Sequence, residues 1–187
     1  LVYGIAFLSL WVQVEGLLGT AGILPADAYL EAIARHLGTA GYLRLPTLLW
    51  LGAGNAALHL LCGAGVLLAG LVCCGLAPAL CLALLWICYL SLFNVGQDFL
   101  FFQWDILLLE TGFIALLWAP ATWRPARVWA GAPSAAVLWL VRWLLFRLMF
   151  SSGAVKLLSG DPAWRDLTAM VYHYHTQPLP HAAAWFA

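Results

Sequence analysis

Long apolar runs, separated by short polar or Pro- and Gly-rich stretches, set the pattern of this chain from Leu1 to about residue 158. Crossing about 30 Å of hydrocarbon takes about 20 helical residues. By that ruler the runs at 1–18, 47–70, 77–97, 102–119 and 135–158 are five spans. Each must be a helix, because inside lipid every backbone N–H and C=O has to be satisfied within the segment. The expected fold is therefore all-α, a polytopic transmembrane helical bundle in one domain over 1–187, with a tail at 159–187 outside the membrane.

The connections carry their own signals. In "GTAGILPADAYLEAIARHLGTAGYLRLP", Pro25 and Asp27 can start a short amphipathic helix that Gly38 ends, lying at the interface between spans one and two. "APATWRPARVWAGAPSA", with Arg124 and Arg127, reads as a loop. The tail turns polar at Asp161-Pro162, carries a short helix through Met170 and is broken again at Pro178 and Pro180. Positive charge is denser in the Arg124/Arg127 loop than in the long segments holding Arg35, Arg44, Lys156 and Arg165. That places this loop and the amino end in the cytoplasm.

Composition agrees with the pattern. The chain is 65% hydrophobic and 9% charged, with a mean hydropathy of +0.94, far from the roughly 25% charged usage of soluble domains. Eleven Trp residues, many near the ends of apolar runs, suit interfacial aromatic belts. Eight basic and eight acidic residues cancel, which gives no footprint for nucleic acid. The first run has no basic leader and no A-x-A site, so it reads as a span. The chain opens inside an apolar run and stops after "HAAAWFA", as the amino-terminal part of a longer protein would. Cys62, Cys73, Cys74, Cys81 and Cys88 share one apolar stretch without C-x-x-C, and read as small core residues.

Chemistry then rests on the few polar residues inside these runs. "FNVGQDFLFFQWDILLLETGFIALLWAP" places Asp98, Asp105 and Glu110 where unpaired carboxylates are costly. The fifth span supplies cations. Glu110 would lie about 10 Å and Arg147 about 15 Å below the same surface, a gap the Arg side chain can close. Glu110 with Arg147 is the first expected charge pair, and Asp105 with Lys156 the second. Two readings stand for this set: structural pairing and helix capping, or a functional pocket. Asn55 and His59, four apart on span two and flanked by glycines, read as polar contacts between helices. In "YHYH", His173 and His175 would align if extended, yet no third ligand stands at metal-site spacing, and no metal or cofactor is expected. No nucleophile elbow, phosphate loop, dinucleotide fingerprint or H-E-x-x-H occurs.

Longer stretches carry a resemblance. "LSLWVQVEGLLGTAGILPA" (8–26), "GQDFLFFQWDILLLETGFIALLWAP" (96–120), "WLVRWLLFRLMFSSGAVKLLSGDPAWRDLTA" (139–169) and "YHYHTQPLPHAAAWFA" (172–187) resemble the lipase maturation factor family. The resemblance implies an endoplasmic reticulum membrane protein with a cytosolic amino end and a larger lumenal carboxyl region. It also implies a part in folding and assembling secreted lipases such as lipoprotein lipase. Its partners would be the bilayer and a secreted client. Two positions depart from the pattern: His175 stands where the family has an acid, and Glu15 where relatives often have Pro. Alanine-rich loops and a compact first loop resemble a bacterial relative, for which the compartment would be the inner membrane.

"GAVKLLSGDPAW" (153–164) also resembles membrane proteins related to vitamin K-dependent carboxylase. That similarity implies a rival reading, a membrane enzyme with Lys156 as base and Asp98 or Asp105 nearby. The leading expectation is a non-enzymatic maturation factor. A transporter is disfavoured, because paired broken helices in two similar halves are missing.

Overall fold

A computed structural model describes residues 1–123 and 132–176, with side chains through 173. Every regular element among them is helical. The order is α1 (Val2–Leu18), α2 (Ala26–Leu37), α3 (Ala40–Arg44), α4 (Asn55–Cys73), α5 (Pro78–Val95), α6 (Gln103–Trp118), α7 (Ala135–Leu158), α8 (Pro162–Arg165) and α9 (Ala169–Thr176). Single 3-10 turns at Leu48–Leu51 and Gln97–Phe99 precede α4 and α6. Among the described residues three helices, α4, α5 and α7, are long and apolar enough to cross a membrane. α1 has 17 residues and α6 has 16, so at about 1.5 Å per residue α6 reaches about 24 Å.

The chain forms two compact units, Leu1–Leu138 and Trp139–Ala187. In the first, α1 packs along α4, α4 against α5, and α5 against α6. α1 is mostly apolar, with its few polar residues, Ser9, Gln13 and Glu15, exposed, and its burial is one-sided. Tyr3, Phe7, Leu10, Val14 and Leu18, spaced by three and four, are in the core, while Ile5, Leu8 and Val12 face outward. That spacing is the contact stripe of a helix. The apolar part of the outward face, Ile5, Leu8 and Val12, suits lipid, so hydropathy alone does not tell it from the buried stripe. α5 is the central element, burying Leu82, Leu85, Cys88, Tyr89, Leu92 and Val95 among others. Close approach of α1 and α4 depends on Gly65: a Cβ there would stand 2.3 Å from Phe7 Cδ1.

The apolar run expected as a span from 47 does not begin as an α-helix. Thr47 Oγ1 accepts from Leu49 N at 3.2 Å and donates to Ser91 O at 3.0 Å, and Ser91 Oγ accepts from Leu48 N at 3.0 Å. Asn94 Nδ2 adds a bond to Pro46 O at 2.7 Å. These bonds pin residues 46–49 to α5, and α4 starts only after Gly54 and continues to Cys73. Apolarity alone could not reveal the break, because the Leu48 N–H is satisfied by Ser91 of another helix and the Leu49 N–H by the neighbouring Thr47 side chain.

α2 buries Ala26 and Leu30 and carries an exposed Glu31–Arg35 pair at 3.5 Å, four residues apart. In the second unit, Trp143, Phe146 and Phe150 form an aromatic ladder along α7, with ring centres 5.6 and 5.5 Å apart. After α7, Gly160 takes a left-handed φ of 77°, and Asp161 caps α8 by accepting from Ala163 N at 2.9 Å. The tail differs from expectation here. α8 ends at Arg165 and a separate helix, α9, runs past Met170 to Thr176. His173 and His175 therefore belong to a helix, not to an extended strand. Positions two apart in a helix do not share a face.

Candidate functional site

Two clusters in the first unit join polar side chains of different helices at positions the sequence singled out. The first is at the carboxyl end of α1. Trp11 and Glu15 are four apart on α1, Asn55 and His59 four apart on α4, and the two pairs meet in antiparallel register. Asn55 Nδ2 donates to Glu15 Oε1 at 2.7 Å, and His59 Nε2 lies 3.4 Å from Glu15 Oε2. Trp11 Nε1 donates to His59 Nδ1 at 2.8 Å. Asn55 Oδ1 accepts from Thr20 N at 2.9 Å, holding the chain as it leaves α1. Trp11 lies over Gly63, one turn further along α4, where a Cβ would come within 3.2 Å of its ring.

The hydrogen-bond roles fix the chemistry. An indole N–H only donates, so His59 Nδ1 must carry the lone pair and Nε2 the proton, directed at Glu15. A carboxylate and an imidazole so arranged can activate a nucleophile only if the other ring nitrogen is free. Here Trp11 occupies it. The cluster is a clasp between helices, and with His59 neutral its Glu15–His59 contact is a hydrogen bond and not an ion pair, between side chains that are 62% and 41% exposed. Glu15, whose meaning the sequence left open, is the partner of both polar residues on α4. The signal that could have found it was the matching i, i+4 spacing on two apolar helices.

The second place is the start of α6. Asp105, in its first turn, is 5% exposed. The Tyr89 hydroxyl donates to Asp105 Oδ1 at 2.6 Å, while Oδ2 is buried with no hydrogen-bond partner. Tyr89 is held edge-on by Tyr3 and Phe7, at ring distances of 5.8 and 5.4 Å. Two further donors dock α6: Trp86 Nε1 to Leu109 O at 2.9 Å and the Tyr3 hydroxyl to Leu108 O at 3.3 Å. Gly112 leaves room for that hydroxyl, since a Cβ there would overlap it. A cavity of about 400 Å³ runs between α1 and the start of α6, with Asp105 and Tyr89 in its wall.

The other expected residues lie as follows. Asp98 is exposed in the 3-10 turn before α6, and Glu110 is half-buried on α6. Arg147 is on α7. Lys156, in the last turn of α7, holds its Nζ 4.8 Å from the centre of the Trp164 ring. Arg124, Arg127 and the tail from 177 onward lie outside the described residues, as does the side chain of His175. Among the described residues no group of three or more His, Cys, Asp or Glu side chains is placed to hold a metal ion.

Comparison with known proteins covers the chain from end to end. The lipase maturation factor transmembrane domain matches residues 1–187. Lipase maturation factor 2 of Xenopus laevis is 47% identical over 199 residues, covering 100% of this chain and 27% of the relative. The Homo sapiens protein of the same name is 50% identical over 206 residues, covering 100% and 28%. Lipase maturation factor 1 of Bos taurus is 41% identical over 198 residues, covering 99% and 34%. The chain thus spans about a quarter to a third of the length of the curated relatives it matches. No solved structure matches.

Proposed function

This integral membrane protein belongs to the lipase maturation factor family, and on that premise we propose that it assists the maturation of secreted lipases or other secreted proteins as a membrane-embedded, non-enzymatic helical module. The observation that carries the reading is the end-to-end identity of 47–50% with relatives named lipase maturation factor 2. The geometry supports the non-enzymatic part. His59, the one imidazole between α1 and α4, has both ring nitrogens engaged. Asp105 is tied to Tyr89, and the contact made by Lys156 is with an indole ring.

In this reading the polar residues of the first unit set helix packing, and the helices anchor a client-handling region on the far side of the membrane. The amino end lies in the cytoplasm, an orientation supported by the clustered Arg124 and Arg127. The compartment is the endoplasmic reticulum in a eukaryote and the inner membrane in a bacterium. The test is co-expression with a secreted lipase in cells lacking their own maturation factor, comparing lipase activity per mass of secreted lipase with and without this protein. A rise in specific activity is expected. Unchanged specific activity at normal expression of the membrane protein would remove the proposal.

A further inference from the structure

We propose that the joint between α1 and α4 is a pH-sensitive switch, in which protonation of His59 releases the Trp11 side chain from α4 and moves the tie to Glu15. Neutral His59 is engaged at both ring nitrogens: Nδ1 accepts from Trp11 Nε1 at 2.8 Å, and Nε2 lies 3.4 Å from Glu15 Oε2. A second proton can enter only at Nδ1, the nitrogen that Trp11 occupies. An indole N–H has no lone pair to offer in return, so two donors then face each other and the bond is lost. The contact on the other side of the ring responds in the opposite sense. An imidazolium beside a carboxylate makes a charge-assisted hydrogen bond, shorter and stronger than the neutral one.

The elements packed around His59 leave Glu15 as the charge it answers to. α1 carries Glu15 as its one charged residue, and the Tyr3 hydroxyl of that helix donates to Leu108 O. α5, the other helix packed against α4, has no Asp, Glu, His, Lys or Arg. Its Cys81 and Tyr89 bond to Leu76 O and Asp105, and its Cys88 is buried. α4 itself adds the buried Cys62, and Cys73 at its far end. The stretch 19–25 that leaves α1 has no charged side chain. Protons reach the joint freely, since His59 and Glu15 are 41% and 62% exposed. Trp11 has little else to hold it on α4: its ring lies against Gly63, where a Cβ would come within 3.2 Å and no side chain exists to bond it. The bonds of Asn55 to Glu15 and to Thr20 N need no particular charge on His59. The end of α1 therefore stays tied while Trp11 lets go. This inference does not depend on the lipase reading.

Nuclear magnetic resonance of the full chain in detergent micelles, isotopically labelled at the tryptophan indoles, reads the switch directly, with Trp11→Phe assigning the resonance. Between about pH 7.5 and about pH 5, the range in which an imidazole changes charge, the Trp11 indole signal should shift from the bonded to the free position. Its exchange with deuterated solvent should speed up over the same range. The indoles of Trp50 and Trp86 donate to Leu45 O and Leu109 O, which do not titrate, and should stay in place. His59→Gln presents an acceptor and a donor that do not titrate, and should keep Trp11 at the bonded position at both ends of the range. A second measurement needs no variant at His59: the histidine ring signal closest in space to the Trp11 indole proton should titrate with the same midpoint as Trp11. A Trp11 signal unchanged across the range, the same shift in His59→Gln, or two different midpoints would overturn the proposal.

Discussion

Replacing Gly65 with alanine probes how closely α1 sits on α4. A Cβ at this position would stand 2.3 Å from Phe7 Cδ1 and 2.4 Å from Phe7 Cγ. Phe7 is 0% exposed and its ring is flanked by Tyr89 at 5.4 Å, so it cannot step aside. Overpacking of this kind costs about 1–3 kcal/mol, while alanine for glycine inside a helix contributes about 1 kcal/mol in the opposite direction. Gly70 lies on the same helix with nothing within 4 Å of its would-be Cβ. Gly70→Ala therefore takes the propensity gain without the clash, and the difference between the two variants isolates the clash, about 1–3 kcal/mol. Unfolding in mixed dodecyl maltoside and dodecyl sulfate micelles, followed by circular dichroism, measures both. Adding Phe7→Ala to Gly65→Ala opens the space the new methyl needs, so the pair should be non-additive by about 0.5–3 kcal/mol in the favourable sense. If Gly65→Ala and Gly70→Ala shift stability equally, the Phe7–Gly65 contact does not exist, and the packing of α1 on α4 described above is wrong.

Other perturbations separate the remaining contacts. Tyr89→Phe removes the donor to Asp105 and leaves a buried carboxylate without one, a loss of about 1–3 kcal/mol; Asp105→Asn keeps an acceptor for Tyr89 and should lose less in the same unfolding assay. Asn55→Ala severs bonds to both Glu15 and Thr20, and should cost more than Glu15→Gln, which keeps an acceptor for Asn55 and gives up at most about 1 kcal/mol at an exposed site; equal losses would contradict the clasp. Ser91→Ala removes the acceptor of the Leu48 N–H, about 0.5–1.5 kcal/mol, and should speed amide exchange at Leu48 while leaving α4 protected.

Much of the helical order was legible because lipid leaves a chain few choices. A run of about 20 apolar residues in a bilayer has to be a helix, and the expected runs at 77–97 and 102–119 differ from α5 and α6 by no more than two residues at either end. Residues 47–54 escaped because hydropathy reports which solvent a segment prefers and not where its backbone bonds go. The bonds from Thr47 and Ser91 that stop α4 short lie 43 and 44 residues apart in sequence. The clasp was half-legible: Asn55 and His59 stood out as polar on an apolar face, but Glu15 sits 40 and 44 residues away from them. Asp105 stood out as a costly carboxylate, whereas its hydroxyl donor comes from Tyr89, an ordinary core residue by composition. The Tyr89–Asp105 bond leaves no local periodic trace.

The measurement that bears most directly on a non-enzymatic maturation role is the specific activity of a secreted lipase co-expressed with Lys156→Ala, in cells lacking their own maturation factor. Lys156 is the chain's single lysine and the base that an enzyme reading requires. The expected result is lipase activity per mass equal to that obtained with the unsubstituted protein, at equal amounts of folded membrane protein. A folded Lys156→Ala variant that no longer raises lipase activity would contradict it and move the enzyme reading to the front.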